Sequence, residues 1–402
     1  MVVMTAPDRV LIVGAGPIGL ISAYRLSLLD IPVVIVDRAP DIPTDLRAST
    51  WHPATLDMLE EIGVTDVILE KGATSPSWQY RFQDSGARAV FELRVLEGET
   101  KHPYRVQCEQ FHVVRHLAEL VAGRDNVDIR WGSETVAVDQ DDDGVSITVE
   151  SGGEQETLKG RFLIGADGGR SMVRETLGLG FDGKTYPIFT MVAITDFPFE
   201  EHYEGLSNVS YVWTETGNFS LLRVPGRWRS GITPRPDQTP EDALSDENIN
   251  AHFQRIVPRD QHYDVLARGS YRTHMRVTEK FNVGRIFLAG DAAHLNTPNG
   301  GLGLNCGVHD AMNLTNKING VWHGDADMAV FDRYTRQRKI IATDYVHKMS
   351  DANHHRMRER DPETRRAIMD DMQRITADDA LMKEWLMNSS MINAVRFAET
   401  VE

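Results

Sequence analysis

The sequence predicts an α/β fold: a dinucleotide-binding domain with a Rossmann-like parallel sheet, interleaved with an antiparallel-sheet domain and followed by C-terminal helices. Three apolar, strand-like runs lead into glycine-rich turns, within residues 9–19, 161–171 and 284–294, and the last two of these turns contain an aspartate. Residues 186–234 instead alternate apolar and polar side chains and contain turns, which is typical of antiparallel strands. The two kinds of pattern succeed one another along the chain, so each domain is expected to be discontinuous in sequence.

The first run carries the full context of a dinucleotide fingerprint. A strand at residues 9–13 leads into Gly14-x-Gly16-x-x-Gly19, a helical pattern follows, and a second strand ends at Asp37. The first glycine makes the turn, the second lets a pyrophosphate approach the backbone, and the third permits close packing of helix on strand. Asp37 is placed to accept hydrogen bonds from a ribose. The fingerprint by itself fits FAD and NAD equally.

The stretch after this unit contains candidate site residues of types that more often have a structural or solvent-exposed role. Arg47 is by default a solvated side chain and His52 a structural histidine. A helix is predicted from Gln110 and a strand from Val127. The following hairpin turns at an acidic segment, residues 141–144, which lacks the ligand spacing of a calcium site. No metal site is indicated.

The two later runs share one design, an apolar strand that ends in an aspartate. Asp167 and Asp291 are therefore expected at the carboxyl edge of a parallel sheet, where ligands of open α/β folds bind. After Asp291 a glycine-rich segment, residues 300–305, enters a helical pattern and exposes backbone N–H groups at the positive end of a helix dipole. The alternative, a tight turn without a ligand, fits four glycines between Gly290 and Gly303 poorly. Two such aspartates suit a ligand long enough to touch both.

The antiparallel segment supplies candidates for a substrate-facing surface. Tyr211, Trp213 and Arg223 lie in its alternating runs, and Arg223 offers a cation for a carboxylate or phenolate. Packing within the sheet, or exposure to solvent, explains these three residues equally well. Further helices are predicted at residues 241–257 and 329–350 and near the C-terminus.

Bulk properties exclude several classes of protein. The 402 residues give room for two or three domains, and a net charge of −16 argues against nucleic acid or an anionic membrane as the main partner. Cys108 and Cys306 are too few for a disulfide framework. The sequence lacks a signal-peptide pattern and any run of about 18 apolar residues. The expectation is a cytoplasmic protein without a membrane segment.

Three motifs together resemble the group A FAD-dependent aromatic hydroxylases, the p-hydroxybenzoate hydroxylase-like flavoprotein monooxygenases. The resemblance spans residues 9–340 and departs from the family at Thr297, where a proline is usual, and at Leu302, where a glutamine is common. It implies a non-covalently bound FAD and the p-hydroxybenzoate hydroxylase-like fold. The implied cofactor-binding residues are Gly14, Gly16, Gly19, Asp37, Arg38, Arg47, Gln110, Asp167, Gly290, Asp291, Gly303, Leu304 and Asn305. The candidates for the catalytic and substrate side are Pro298, Arg223, Tyr211 and His52.

The resemblance also implies a reaction. NADH or NADPH would reduce FAD, O2 would add to it, and a flavin C4a-hydroperoxide would hydroxylate a phenolic or N-heteroaromatic small molecule. A homodimer is compatible with it. Two alternatives stay open: a ring-opening oxygenase or reductase on the same fold, and a non-catalytic FAD-binding redox regulator. The expected division is an FAD domain (1–75, 107–185 and 270–345), a substrate domain (76–106 and 186–269) and a helical segment (346–402).

Overall fold

The computed structural model describes residues 8–43, 48–215, 217–234 and 238–402, with Ile188 described by its backbone alone. The predicted cofactor residue Arg47 lies outside these described residues. The strands are β1 (Val10–Val13), β2 (Val33–Val36), β3 (Thr50–Trp51), β4 (Ala73–Ser75), β5 (Ser77–Phe82), β6 (Arg88–Glu92), β7 (Arg105–Gln107), β8 (Val127–Arg130), β9 (Glu134–Gln140), β10 (Val145–Ser151), β11 (Glu154–Gly160), β12 (Phe162–Gly165), β13 (Phe181–Thr195), β14 (Val209–Trp213), β15 (Asn218–Val224), β16 (Arg227–Ile232), β17 (Ala267–Thr278), β18 (Asn282–Val283), β19 (Ile286–Leu288) and β20 (His294–Leu295). The helices are α1 (Pro17–Leu28), α2 (Pro53–Glu60), α3 (Thr65–Lys71), α4 (Gln110–Ala122), α5 (Met172–Thr176), α6 (Pro240–Ala243), α7 (Asp246–Ile256), α8 (Leu302–His323), α9 (Val330–Ile340), α10 (Lys348–Arg358), α11 (Pro362–Thr376), α12 (Asp379–Ser389) and α13 (Ile392–Thr400).

A six-stranded sheet, in the order β18-β19-β12-β1-β2-β8, forms the nucleotide domain. Its neighbours from β19 to β8 are parallel, and only β18 runs antiparallel at the edge. The strands β1, β2, β12 and β19 are buried along their whole length, as expected of a parallel sheet with both faces covered. The glycine fingerprint and the two strand-end aspartates, Asp167 and Asp291, all follow strands of this sheet. The fold class predicted from the sequence is confirmed.

An eight-stranded sheet, in the order β20-β17-β13-β16-β15-β14-β5-β6, forms the second layer. All of its pairs are antiparallel except β14 with β5. Alternate side chains point to opposite faces. Met191 and Ala193 of β13 therefore pack into an apolar cluster with α7, whereas Thr190 and Val192 face a cavity on the other side. This sheet holds the wall opposite the nucleotide domain.

The predicted domain limits at residues 185/186 and 269/270 fall inside β13 and β17. The two strands are antiparallel: β13 begins near the nucleotide domain and β17 ends there, and both extend across the second sheet, so no single peptide bond separates the domains. The predicted hairpin at residues 135–150 is formed by β9 and β10, and β11 adds a third strand. The division into domains stays a prediction.

The C-terminal segment is helical, as predicted. The helix expected at residues 329–350 is α9 and α10 joined by a π-helical stretch, Ile341–His347. Helices α11 and α12 pack against β6 through methionines of a second apolar cluster, among them Met369, Met372 and Met382. None of the helices in the described part of the chain has the length and apolar character needed to cross a membrane.

Candidate cofactor and substrate site

One cavity of about 1320 Å³ lies between the carboxyl edge of the parallel sheet and the open face of the antiparallel sheet. The loops after β1, β12 and β19 line it on one side, and β13 to β17 line it on the other. A site for a single drug-sized ligand measures roughly 300–1,000 Å³. The volume therefore suits an extended cofactor together with a second molecule.

The fingerprint glycines give the cavity a backbone floor. Gly14 has φ of +103°, and a Cβ atom there would overlap the backbone of Ala166, while a Cβ on Gly19 would overlap the carbonyl of Gly14. At Gly16, by contrast, a Cβ would meet no other described atom within 4 Å. Gly16 precedes α1, whose first N–H groups receive no cap from a described side chain. This is a cradle that fits a phosphate group.

Asp37 closes the first half of the cradle. Its carboxylate accepts hydrogen bonds from the backbone N–H groups of Ala15 (2.7 Å) and Ala39 (2.8 Å), which fixes its position at the end of β2. Asp37, Arg38 and Gln110 all line the cavity, as the sequence led us to expect. Gln110 is the first residue of α4.

Asp167 offers a buried acceptor to the cavity. One carboxylate oxygen accepts a hydrogen bond from the N–H of Val173 (3.2 Å), and the other, Oδ1, is buried without a hydrogen-bond partner among the described residues. Burial raises the pKa of Asp167. Arg174 donates to the carbonyls of Ala292 (2.9 Å) and Gly169 (3.1 Å), and thereby links the second motif to the third. An orphaned acceptor in this wall fits a ligand hydroxyl.

The glycine-rich loop before α8 is held by side chains behind it. Gly301 caps α8 with φ of +67°, and a Cβ there would lie 2.7 Å from Thr50 Cβ. Pro298, Gly303 and Leu304 line the cavity. Asn305 is buried instead, and its side-chain amide donates to the carbonyls of Thr50 (2.9 Å) and Gly301 (2.7 Å). Its side chain therefore positions the loop, and the segment contributes backbone atoms to the cavity wall.

His52 is part of the same support and not of the cavity wall, which corrects the expectation of a catalytic role. It is fully buried, and burial lowers its pKa well below the usual value. The neutral ring lies with Nε2 2.8 Å from the carbonyl of Gly300, to which it can donate. The backbone N–H of His52 also donates to Asn305 Oδ1 (2.9 Å). The default structural interpretation of this histidine is the right one.

A buried charge cluster lies beneath Gly290 and Asp291, both of which line the cavity. Asp310 of α8 accepts from the N–H of Gly290 (3.0 Å) and contacts His294 (2.7 Å) and Arg338 (2.6 Å). Burial lowers the pKa of His294, but Cys306 and Asp310 overcome this and raise it well above its usual value. His294, Cys306 and Asp310 have metal-ligand spacing, yet the Arg338 guanidinium contacts both Asp310 and the Cys306 sulfur (3.3 Å). A protein cation already balances this cluster.

The antiparallel sheet separates two residues that the sequence analysis had grouped together. Tyr211 lines the cavity, and burial raises its pKa to about 12, so its hydroxyl stays protonated at neutral pH. Arg223 lies on the other face, ion-paired with Glu200 (2.8 Å), because the two-residue period of β15 sets it apart from the cavity residues Ser220 and Leu222. Arg223 is therefore withdrawn as a substrate contact.

Trp213, the third candidate of this sheet, is fully buried in the core and donates its indole N–H to the carbonyl of Arg356 (3.3 Å).

The structure also places at the cavity an arginine that the sequence did not indicate. Arg229 of β16 lines the cavity, near Tyr271 of β17. Strand alternation explains its position: Trp228 and Ser230 are buried, so Arg229 between them points to the opposite face.

Comparison with known proteins identifies the family. The model of the FAD binding domain family matches residues 8–349. The chain is 32% identical over 405 residues to para-nitrophenol 4-monooxygenase of Pseudomonas sp. strain WBC-3, covering 98% of each protein. It is also 32% identical over 343 residues to 6-hydroxy-3-succinoylpyridine 3-monooxygenase of Pseudomonas putida strain DSM 28022 / S16, covering 84% of this chain and 86% of the relative.

A solved structure agrees with these relatives. The crystal structure of p-nitrophenol 4-monooxygenase from Pseudomonas putida DLL-E4 superposes with a TM-score of 0.90 at 29% identity, covering 96% of this chain and 98% of the other. The match extends over both sheets and the C-terminal helices. Together with the phosphate cradle, the two strand-end aspartates and the cavity between the sheets, these comparisons show that the chain belongs to the group A FAD-dependent aromatic monooxygenases.

Proposed function

We propose that this protein uses NADH or NADPH and O2 to hydroxylate a phenolic or N-heteroaromatic small molecule. A single observation carries the proposal. One cavity joins the three cofactor motifs of the parallel sheet to a wall of aromatic and polar side chains in the antiparallel sheet. The same cavity could therefore hold a cofactor and an aromatic ring together.

The cofactor half offers a complete set of partners for FAD. The N–H groups at the start of α1, beside Gly16, would receive the pyrophosphate, and Asp37 would accept from the adenosine ribose. Asp167 Oδ1 and Asp291, which both line the cavity, would accept from hydroxyl groups of the ribityl chain. The start of α8 directs backbone N–H groups and the positive end of its dipole towards the flavin. When bound, FAD supplies the reduction of O2 and the transfer of one oxygen atom.

The substrate half has an aromatic and a hydrogen-bonding component. Pro298 and Leu222 provide apolar contacts, and the protonated hydroxyl of Tyr211 can donate to a substrate oxygen. Asn218 and Ser220 lie along the same face of β15. The names of two relatives, which refer to a nitrophenol and a hydroxypyridine derivative, support a ring of this size and polarity.

The reductant half of the proposal is supported by charge. The chain is strongly acidic, with a net charge of −16, yet Arg170 and Arg272 line this cavity. Cations that line a cavity attract a phosphate-bearing co-substrate. His274 lines the cavity as well, but burial lowers its pKa, so it contributes a neutral ring at neutral pH. Two further cations of β17 are less available, since Arg268 is ion-paired with Asp246 and Arg276 donates to the carbonyl of Phe181.

The test uses the FAD-loaded protein with NADH or NADPH under ¹⁸O2. We would offer 4-nitrophenol, pentachlorophenol and hydroxypyridines, and follow substrate-dependent oxidation of the nicotinamide together with the mass of the product. The expected product carries one labelled oxygen atom. Two labelled oxygens would indicate a ring-opening oxygenase, and a product enriched only in hydrogen a reductase. Bound FAD without turnover of any aromatic compound would contradict the proposal.

A further inference from the structure

One part of the cavity wall comes from outside the two sheets and the cofactor loops. Met357 and Arg358, the last two residues of α10, line the cavity. The match to the FAD binding domain family ends at residue 349, so both residues lie beyond it. The C-terminal helical segment, to which the proposed function gives no role, therefore contributes to the site.

The end of α10 borders the substrate half of the cavity. Met357 is 4% exposed and belongs to the apolar cluster that contains Tyr80 and Trp213. Tyr211, which lines the cavity, packs against the same cluster. The carbonyl of Arg356 accepts a hydrogen bond from the indole N–H of Trp213 at the end of β14 (3.3 Å). Met357 is thus held next to the strand that carries Tyr211.

Arg365 of α11 fixes the end of α10 against the sheet. Its side chain is 5% exposed, and its Nε donates to the carbonyl of Glu359, the residue that follows α10 (2.6 Å). Its two terminal nitrogens donate to the carbonyls of Thr214 (2.6 Å) and Gly217 (3.0 Å), between β14 and β15. Hydrogen bonds from a charged donor are stronger than those between neutral groups. The wall that Met357 forms therefore has a fixed position relative to β14 and β15.

The chemistry of methionine determines what this wall can select. Its thioether has no hydrogen-bond donor and no charge, and it packs favourably against aromatic rings. Met357 can therefore select a ligand only through the space that it leaves. An apolar pocket discriminates about 10- to 200-fold between ligands that differ by one methylene group. A fused second ring adds more atoms than one methylene, so a fixed apolar wall should exclude it at least as strongly.

We propose that Met357 is a specificity-determining residue that limits the substrate to a single aromatic ring, and that its side chain excludes a fused second ring. The inference rests on the proposed function of the same site and narrows its substrate class. It also gives α10 a role, because this helix carries Met357 to the cavity and Arg365 holds it there.

A matched control lies in the neighbouring helix. Met372 of α11 is 2% exposed and belongs to the same apolar cluster, but it does not line the cavity. Met372→Ala removes the same atoms from the same cluster as Met357→Ala does, without changing the cavity wall. Met357→Leu is a second control, since it keeps the volume of the side chain nearly unchanged.

The experiment measures ligand binding to the FAD-loaded protein without NAD(P)H, by flavin difference spectra. The probes are two pairs that differ by one fused ring: 4-nitrophenol with 4-nitro-1-naphthol, and 3-hydroxypyridine with 3-hydroxyquinoline. We expect the wild type to bind the single-ring member of at least one pair about tenfold or more tightly than its partner. In Met357→Ala this preference should fall by about tenfold, through tighter binding of the fused compound. Met357→Leu and Met372→Ala should keep the wild-type preference.

Every other outcome contradicts the inference. A wild type that binds neither single-ring compound, or that binds the fused compounds as tightly, would overturn it. So would a Met357→Ala variant that keeps the preference, or a Met372→Ala variant that loses it to the same extent. If Met357→Ala does not retain FAD, Met357→Phe replaces it. The larger side chain must then weaken binding of the single-ring compound, and unchanged binding would overturn the inference.

Turnover separates this inference from the proposed function. Labelled products formed with equal kcat/KM from both members of each pair would overturn the size limit and leave the proposed function intact. The absence of labelled product from every aromatic compound would contradict the proposed function.

Discussion

The two halves of the cavity are built in different ways. The cofactor half consists mainly of backbone and of short-range motifs: Gly14 to Gly19, Asp167, and the loop from Gly300 to Leu304 each form within one strand-turn-helix unit. The substrate half consists of side chains from β13 to β17, whose directions depend on strand register. A site made of backbone can be recognised from local sequence, whereas a site made of side chains on a sheet requires the correct face of each strand.

The largest expected effect tests the backbone half. In Gly14→Ala the new Cβ would overlap the backbone of Ala166 and the residue would be held at φ of +103°. We expect a loss of stability of about 3 kcal/mol or more, with little FAD retained. The matched substitution Gly16→Ala meets no described protein atom. It should leave the apoprotein's unfolding free energy within about 1 kcal/mol while weakening FAD binding. Thermal unfolding measures the stability of each variant, and the FAD content measures its cofactor binding. Equal destabilisation by the two variants would contradict the comparison.

The second prediction concerns the charge cluster beneath Asp291. Asp310→Asn removes the partner of buried His294 and Arg338, so we expect a cost of about 3–5 kcal/mol in the free energy of unfolding. Arg374, an exposed residue paired with Asp371, is the control, and Arg374→Met should cost less than about 1 kcal/mol. Denaturant unfolding measures both values. Equal costs would mean that the cluster does not hold this part of the site.

The same cluster predicts a dependence on pH. Burial would raise the pKa of Asp310, but His294 and Arg338 outweigh it and lower the pKa to about 2. A lowered folded-state pKa contributes stability that is present above the unfolded value of about 4 and is lost as the pH falls towards 2. The free energy of unfolding of the wild type should therefore fall over this range by more than that of Asp310→Asn. Parallel curves for the two proteins would contradict the assignment.

A third substitution tests the side-chain half. Tyr211→Phe removes a hydroxyl from the cavity wall, and the pKa of about 12 keeps that hydroxyl protonated at neutral pH. A lost hydrogen bond to a polar or charged substrate group lowers kcat/KM by roughly ten- to a hundredfold. FAD affinity should stay unchanged, because Tyr211 lies on the sheet and not on the cofactor loops. A variant that loses FAD and substrate together would show that the two halves are not separable.

What could be predicted from sequence follows the same division. The fold class, the fingerprint, the strand-end aspartates and the helix after the glycine loop were all recognisable, because each depends on neighbours within a few residues. His52 was misjudged because its partner, the carbonyl of Gly300, is distant in sequence. Arg223 was a different error, since the alternation of β15 already set it on the face opposite Ser220.

The smallest expected effect separates the two arginines of neighbouring strands. Arg223→Met removes a half-exposed ion pair with Glu200 on the outer face, and such pairs contribute about 0–1 kcal/mol. We expect no change in kcat/KM beyond about twofold, since an effect of about 1.4 kcal/mol is needed for tenfold. Arg229→Met changes a cation that lines the cavity, and it should alter KM for the substrate or for NAD(P)H while FAD content stays the same. Steady-state kinetics and FAD content, measured for both variants, show which of the two arginines lies on the cavity face of the sheet. If Arg223→Met lowered kcat/KM more than Arg229→Met, the register of β15 and β16 assigned to this sheet would be wrong, and with it the side-chain half of the site.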